Sequence, residues 1–153
     1  MKKQLLWLFI LSALITTQCG KKVNQPALDD AAIKSYLDQH QLTATKTSSG
    51  LYYLITSPTN NAQAANGKKA YVNYTGRFLD DKVFDSNNGA APFSFTIGIG
   101  EVIAGWDEGI ALLKKGEKAR LFIPSAAAYG AGGSGSIPAN TPLQFEVELA
   151  DLK

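Results

Sequence analysis

The sequence holds one cysteine, Cys19, and one histidine, His40, in 153 residues. A single thiol cannot close an internal disulfide, and one thiol with one imidazole cannot build a Cys/His metal site, so both kinds of scaffold are excluded. An excess of charge of one sign is also lacking. Fifteen Lys and Arg face thirteen Asp and Glu, and loss of a leader carrying Lys2 and Lys3 would leave thirteen of each. A balanced chain without a Lys/Arg stripe supplies no face with which to neutralise a run of phosphates, which puts nucleic acid last among partners, and none is expected. The apolar run from Leu5 to Ile15 falls short of the roughly 18 residues that span a bilayer. What remains is 45% apolar residues and 10% aromatic, enough for one domain with a modest core.

Met1-Lys2-Lys3, the apolar run and the polar step Thr16-Thr17-Gln18 follow the layout of a secretory signal peptide. Cys19 falls at the expected cut. The segment resembles a bacterial lipoprotein signal, in which the cysteine is acylated and becomes the first residue. Gln18 stands where a small residue is usual, and an ordinary signal peptide with an incidental cysteine is the alternative. Lipidation of Cys19 implies an exported protein held to a bacterial membrane, facing the periplasm or the outside, by acyl chains that contribute about 0.8 kcal/mol per buried CH₂.

Gly20 to Gln25 is polar and ends at Pro26, which predicts a tether. Leu28, Ala32, Ile33, Tyr36 and Leu37 then recur at helical spacing, with Asp29 and Asp30 where the helix dipole favours acid, predicting a short amphipathic helix from Ala27 to Gln39. His40 takes a cap-like place at its end. Strands are predicted at Leu51 to Ile55, Tyr71 to Phe78, Phe93 to Ile97 and Lys118 to Ile123. In the last strand Leu143, Phe145, Val147 and Leu149 face one way, while Gln144, Glu146 and Glu148 face the other, predicting a sheet with one wet face. Gly105 to Leu113, followed by Lys114-Lys115-Gly116, suits one short helix with cations in its last turn. The expected class is α+β, a twisted antiparallel sheet wrapped around one short α-helix.

The catalytic motifs fail. Gly130-Ala131-Gly132-Gly133-Ser134-Gly135 matches G-x-G-x-x-G, but Pro138 and Pro142 follow where a dinucleotide site needs a helix. No P-loop, G-x-S-x-G elbow or H-E-x-x-H is present. Asp80-Asp81 reads as part of a turn and Asp107-Glu108 as a helix N-terminus. A chain this poor in nucleophiles and proton carriers can host only chemistry without proton transfer.

Val72-Asn73-Tyr74-Thr75-Gly76, Phe84-Asp85-Ser86, Pro92-Phe93-Ser94-Phe95 and Glu101-Val102-Ile103-Ala104-Gly105-Trp106-Asp107-Glu108-Gly109 occur in that order. Gly116-Glu117-Lys118, Ile123-Pro124, Ala128-Tyr129-Gly130, Ile137-Pro138 and Phe145-Glu146-Val147-Glu148-Leu149 continue the series. Together they resemble the FKBP-type peptidyl-prolyl isomerases over about 80 residues. Together with the leader, tether and helix read above, which lie outside it, the resemblance divides the chain into a signal peptide at 1–18, a lipid-anchored tether with a short helix at 19–48, a lead-in strand and loop at 49–65, and an isomerase domain at 66–153. It implies a pocket in which Tyr74, Asp85, Trp106, Tyr129 and Phe145 act on the substrate. Phe84, Phe93, Val102, Ile103 and Ile137 would bind it. Trp106 would floor the prolyl ring, the Ile103 N–H and the Tyr129 hydroxyl would hold peptide carbonyls, and Asp85 would accept a hydrogen bond from Tyr74 or orient the pocket wall. Phe95 would lie at the pocket base or in the core. By alternation alone each of these rings reads as core.

The resemblance implies proline-containing polypeptides as substrates and macrolide inhibitors as pocket ligands, while the sequence itself gives no support to oligomerisation, which leaves a monomer as the expectation, or to a cofactor or metal. Two features depart from the family pattern. Asn87 to Ala91 carries no arginine to pair with Asp85, and the Ala131 to Ser136 flap offers only Gly, Ala and Ser, which predicts weak selectivity for the residue before proline. The alternative function is a peptide-binding or chaperone module on the same fold without useful turnover.

Overall fold

A computed structural model of the chain describes residues 23–153. The expected signal peptide and Cys19 lie outside the described residues. Helix α1 (Gln25–Gln39) is followed by strands β1 (Thr45–Lys46), β2 (Tyr52–Ser57), β3 (Lys69–Phe78), β4 (Val83–Ser86) and β5 (Phe93–Thr96). Helix α2 (Ala104–Ala111), β6 (Lys118–Ile123) and β7 (Leu143–Leu152) complete the order. The pairings are antiparallel, in the order β1-β2-β6-β7-β3-β4, with β5 also paired to β3. β2, predicted as a lead-in, is bonded to β6 within this sheet.

The apolar face of β7 decides where the core lies. Leu143, Phe145, Val147 and Leu149 are buried with Leu121 and Ile123 of β6 and Val72 of β3, and α2 covers them with Trp106 and Ile110. Close approach of helix to sheet depends on two missing side chains. A Cβ at Gly105 would lie 2.3 Å from Ile123 Cγ2, and one at Gly109 would lie 2.6 Å from Leu121 Cδ1. Any larger residue would push α2 off the sheet.

α2 is shorter than predicted, and Lys114 and Lys115 follow it rather than forming its last turn. Side chains end it instead. Gln63 Nε2 donates to the carbonyls of Ala111 and Leu113, each at 2.9 Å, and the buried Glu117 carboxylate accepts the Lys114 N–H at 2.9 Å.

α1 differs at the other end. It starts at Gln25, so Pro26, predicted to close the tether, lies in the first turn, where its missing N–H leaves no bond unmade. Ile33, Tyr36 and Leu37 pack on Tyr52 and Phe122 of the outer sheet face. This corrects the expectation of one wet face: Gln144 is only 1% exposed beneath the helix. Its burial is compensated, because Gln144 Nε2 donates to Asp81 at 2.8 Å and Arg120 donates to Gln144 Oε1 at 2.5 Å. The Tyr36 hydroxyl donates to the same Asp81 carboxylate at 2.7 Å, and the His40 ring stacks on Tyr36 at 3.9 Å.

Candidate functional site

The curvature of β3, β4 and β7 over the start of α2 leaves a cavity of about 350 Å³. Tyr74 comes from β3, Phe84 and Asp85 from β4, Phe93 from β5, Trp106 from α2 and Phe145 from β7. Val102, Ile103 and Tyr129 enter from loops. Nine of the ten residues singled out for the pocket in the sequence therefore line one concavity.

The tenth does not. Ile137 is buried in the main core and is absent from the cavity wall. A short bridge, in which Ser134 and Ile137 exchange backbone hydrogen bonds of 2.9 and 2.8 Å, fixes it there. Conversely, Glu101 lines the cavity and was not singled out. Its place directly before Val102 and Ile103 is the signal that the sequence offers.

Trp106 is the floor. It is 5% exposed and meets Tyr74, Phe93 and Phe145 nearly edge-on, at interplanar angles of 82°, 80° and 84° and centroid distances of 5.1, 6.0 and 5.4 Å. Phe95 supports it from the core at 5.9 Å. Such T-shaped contacts place the positive edge of one ring on the negative face of another, adding about 0.5–1.5 kcal/mol per pair to burial. Phe93 (44% exposed) and Tyr129 (38%) form the rim. The cup is thus closely packed at its base and open at its mouth.

The polar equipment is sparse and specifically held. The Tyr74 hydroxyl donates to Asp85 Oδ2 at 2.7 Å, while Asp85 Oδ1 accepts the Ser86 N–H at 2.8 Å. Burial, and then the adjacent carboxylate, push the Tyr74 phenol up to about 12, so it stays protonated and keeps donating. Among the described residues no ion pair involves Asp85. The loop before α2 is tied down by carboxylates: Asp107 accepts the N–H groups of Gly98 and Gly100, each at 2.9 Å, and Glu101 accepts the Thr96 N–H at 2.7 Å. Asp107 is thus a loop anchor as well as an acid in the first turn of α2. Glu108 turns away and accepts the Ser49 hydroxyl at 2.6 Å.

Ile103 caps α2 with its carbonyl, which accepts the N–H groups of Trp106 at 2.8 Å and Asp107 at 3.2 Å. Its own N–H has no protein acceptor among the described residues. A peptide carbonyl entering above Trp106 could take that donor. The buried Trp106 Nε1 has no partner either. The arrangement can desolvate and orient an apolar ring and hold a carbonyl, and it contains no pair suited to proton transfer.

Residues 60–150 match the FKBP-type peptidyl-prolyl cis-trans isomerase family. Over 90 residues the chain is 51% identical to the peptidyl-prolyl cis-trans isomerase Fkbp12 of Drosophila melanogaster, covering 58% of this chain and 83% of that one. It is 47% identical over 90 residues to FK506-binding protein 4 of Neurospora crassa, covering 59% of this chain but only 19% of the fungal protein. The chain therefore spans about a fifth of the length of that longer relative. Among solved structures it resembles FkpA from Escherichia coli, with a TM-score of 0.71, 36% identity, and coverage of 84% of this chain and 61% of that one. It also resembles AtFKBP13, with a TM-score of 0.69, 33% identity, and coverage of 72% and 99%. With its antiparallel sheet, short helix and ring-walled cavity, the chain belongs to the FKBP-type peptidyl-prolyl cis-trans isomerase family.

Proposed function

We propose that this protein accelerates cis–trans rotation about Xaa-Pro bonds in exported polypeptides. The observation that carries this reading is a dry floor of edge-packed rings beneath one unpaired backbone donor, with Trp106 at its centre. An Xaa-Pro bond prefers trans by only about 0.5–1 kcal/mol, yet it turns over tens to hundreds of seconds because amide resonance must be broken. Water opposes rotation by hydrogen-bonding the carbonyl oxygen of the planar, charge-separated form. Transfer into the cup removes that stabilisation, while the twisted state, with less separated charge, loses little. A 10⁵-fold acceleration corresponds to about 7 kcal/mol. One neutral hydrogen bond contributes about 1 kcal/mol net, so desolvation and shape carry most of the effect. The Ile103 N–H and the Tyr129 hydroxyl fix the flanking carbonyls, and Tyr74, held by Asp85, keeps one wall in place.

The names of the FK506-binding relatives support the same cup as a macrolide site. Export and lipid anchoring rest on residues 1–19, outside the described residues. Cys19→Ser should move the protein from the membrane to the soluble fraction, and an unchanged distribution would refute the anchor. The activity is tested by following isomerisation of a proline tetrapeptide with the mature domain. Acceleration that rapamycin abolishes is expected. No acceleration at micromolar protein would refute catalysis and leave peptide holding as the function of the cup.

A further inference from the structure

Helix α1 lies outside the residues matched to the family, yet its hydrogen bonds reach the loop that bears Tyr129. Asp29 is the contact point. It is 2% exposed, and its Oδ2 accepts both the backbone N–H of Ser125 at 2.7 Å and the Ser125 hydroxyl at 2.6 Å. Its Oδ1 accepts Gln25 Nε2 at 2.7 Å, and Gln25 Nε2 also donates to the Asn140 carbonyl at 3.3 Å. Ser125 begins the Tyr129 loop and Asn140 lies near its end. The Ser125 carbonyl accepts the Ala128 N–H at 3.0 Å, and the Asn140 N–H donates to the Gly130 carbonyl at 2.8 Å. Both chain neighbours of Tyr129 are therefore one hydrogen bond away from residues that α1 holds.

The loop has little else of its own to hold it. Ala126, Ala127, Ala128, Gly130, Ala131, Gly132 and Gly133 offer no side-chain donor or acceptor, and glycines in sequence raise the entropy lost on ordering. A buried carboxylate taking two donors from one residue is a strong, charge-assisted brace, and leaving those donors unpaired would be costly. We propose that α1 is a strap on the Tyr129 loop, with Asp29 the positioning residue that sets where Tyr129 meets substrate. The catalytic part of this proposal rests on the isomerase reading above; the structural part does not.

The test has two arms on the full chain. Asp29→Ala should speed amide exchange at Ala128 and Asn140 by about tenfold or more while β3 and β7 keep their protection. Ser125→Ala, which deletes one of the two bonds, should give a smaller change in the same place, and it serves if Asp29→Ala does not fold. In the second arm, Asp29→Ala should lower kcat/KM by about tenfold, and Asp29→Asn, which retains an acceptor oxygen, should restore most of it. In a Tyr129→Phe background, Asp29→Ala should cost no more than about twofold further, because both act through the same contact. Unchanged exchange in the loop would overturn the strap. Losses that simply multiply in the double variant would overturn the positioning role of Asp29. If the unmodified protein shows no isomerase activity, the functional reading fails while the exchange arm still decides the strap.

Discussion

The smallest substitution with a large expected effect is Gly76→Ala. Gly76 lies in mid-β3, opposite Phe145 of β7 and Asp85 of β4. Its φ is not positive, so alanine introduces no backbone strain. The difficulty is space. Phe84 and Phe145 meet edge-on at 89° with centroids 5.5 Å apart, in the room that a side chain at 76 would occupy. An added Cβ would lie 2.6 Å from Phe84 Cζ and 2.9 Å from Phe145 Cε1, against ordinary contacts that begin at 3.4 Å. Phe84 must retreat by about 0.8 Å and Phe145 by about 0.5 Å. Phe145 is already flanked by Trp106 at 5.4 Å and Tyr74 at 6.4 Å, so its displacement passes to the floor of the cup. Overpacking of this kind costs about 1–3 kcal/mol, and about 4 °C of Tm per kcal/mol places the loss near 4–12 °C. A domain with several kcal/mol of stability stays folded, yet a wall misplaced by close to 1 Å can lower the rate by up to about 10²-fold. The expected result is a kcat/KM reduced about 10- to 100-fold with a cooperative melt retained. A lowered Tm with full activity would show that these rings are core rather than substrate wall, and no change in either would show that the contact is not tight.

Trp106→Ala and Phe145→Ala should each lower kcat/KM by more than about tenfold, whereas Glu108→Ala, which removes a hydrogen bond to Ser49 away from the cavity wall, should cost less than about twofold; equal losses would contradict the assignment of the cup. Because Tyr74 is pushed up to about 12 and no proton transfer is used, kcat/KM should be flat from pH 6 to 9, and an inflection near 6.5 would refute the proton-free mechanism. Hydrogen bonds from Lys34, Lys46 and Tyr52 hold the Asp30 carboxyl well below the usual carboxylate range. A depressed folded pKa gives stability that is complete above the unfolded value near 4 and fades as pH falls through the folded one. Urea melts should therefore show stability declining below about pH 4 and a shallower decline in Asp30→Asn; identical profiles would exclude Asp30 as a source of acid sensitivity.

The parts of the fold that were legible in the sequence are those governed by local pattern. The alternation from Leu143 to Leu149 identified β7 and its buried face, and the helical spacing identified α1; of its five apolar positions Ile33, Tyr36 and Leu37 pack on the sheet, whereas Leu28 and Ala32 are exposed and Asp29 is buried instead. Gln144 was misplaced because its burial depends on a helix more than a hundred positions away, and a polar residue in a period-two pattern carries no sign of that cover. The Asp29–Ser125 contact spans 96 positions and was equally invisible. The end of α2 differs because Gln63, not the adjacent lysines, donates to the Ala111 carbonyl, while Glu117 holds the Lys114 N–H of the turn that follows. Among the site residues, alternation could not separate Phe93 and Phe145, which line the cavity, from Phe95, which supports it; the order of motifs did. Ile137 escaped both, since the Ser134 bridge that buries it is a turn geometry.

Three glycines connect the fold to its chemistry. Gly105 and Gly109 bring α2 against Ile123 and Leu121, which sets the height of Trp106, and Gly76 leaves the gap that Phe84 and Phe145 fill. Each position is one where a methyl group would collide with a wall or support of the cup rather than with solvent. A catalyst that works by excluding water needs its rings at fixed separations more than it needs reactive atoms, and close packing fixes separations to within a few tenths of an ångström. That explains why a chain with one histidine and one cysteine can still be equipped for catalysis. It also explains why the demanding positions here are glycines, whose function lies in the space they leave to their neighbours.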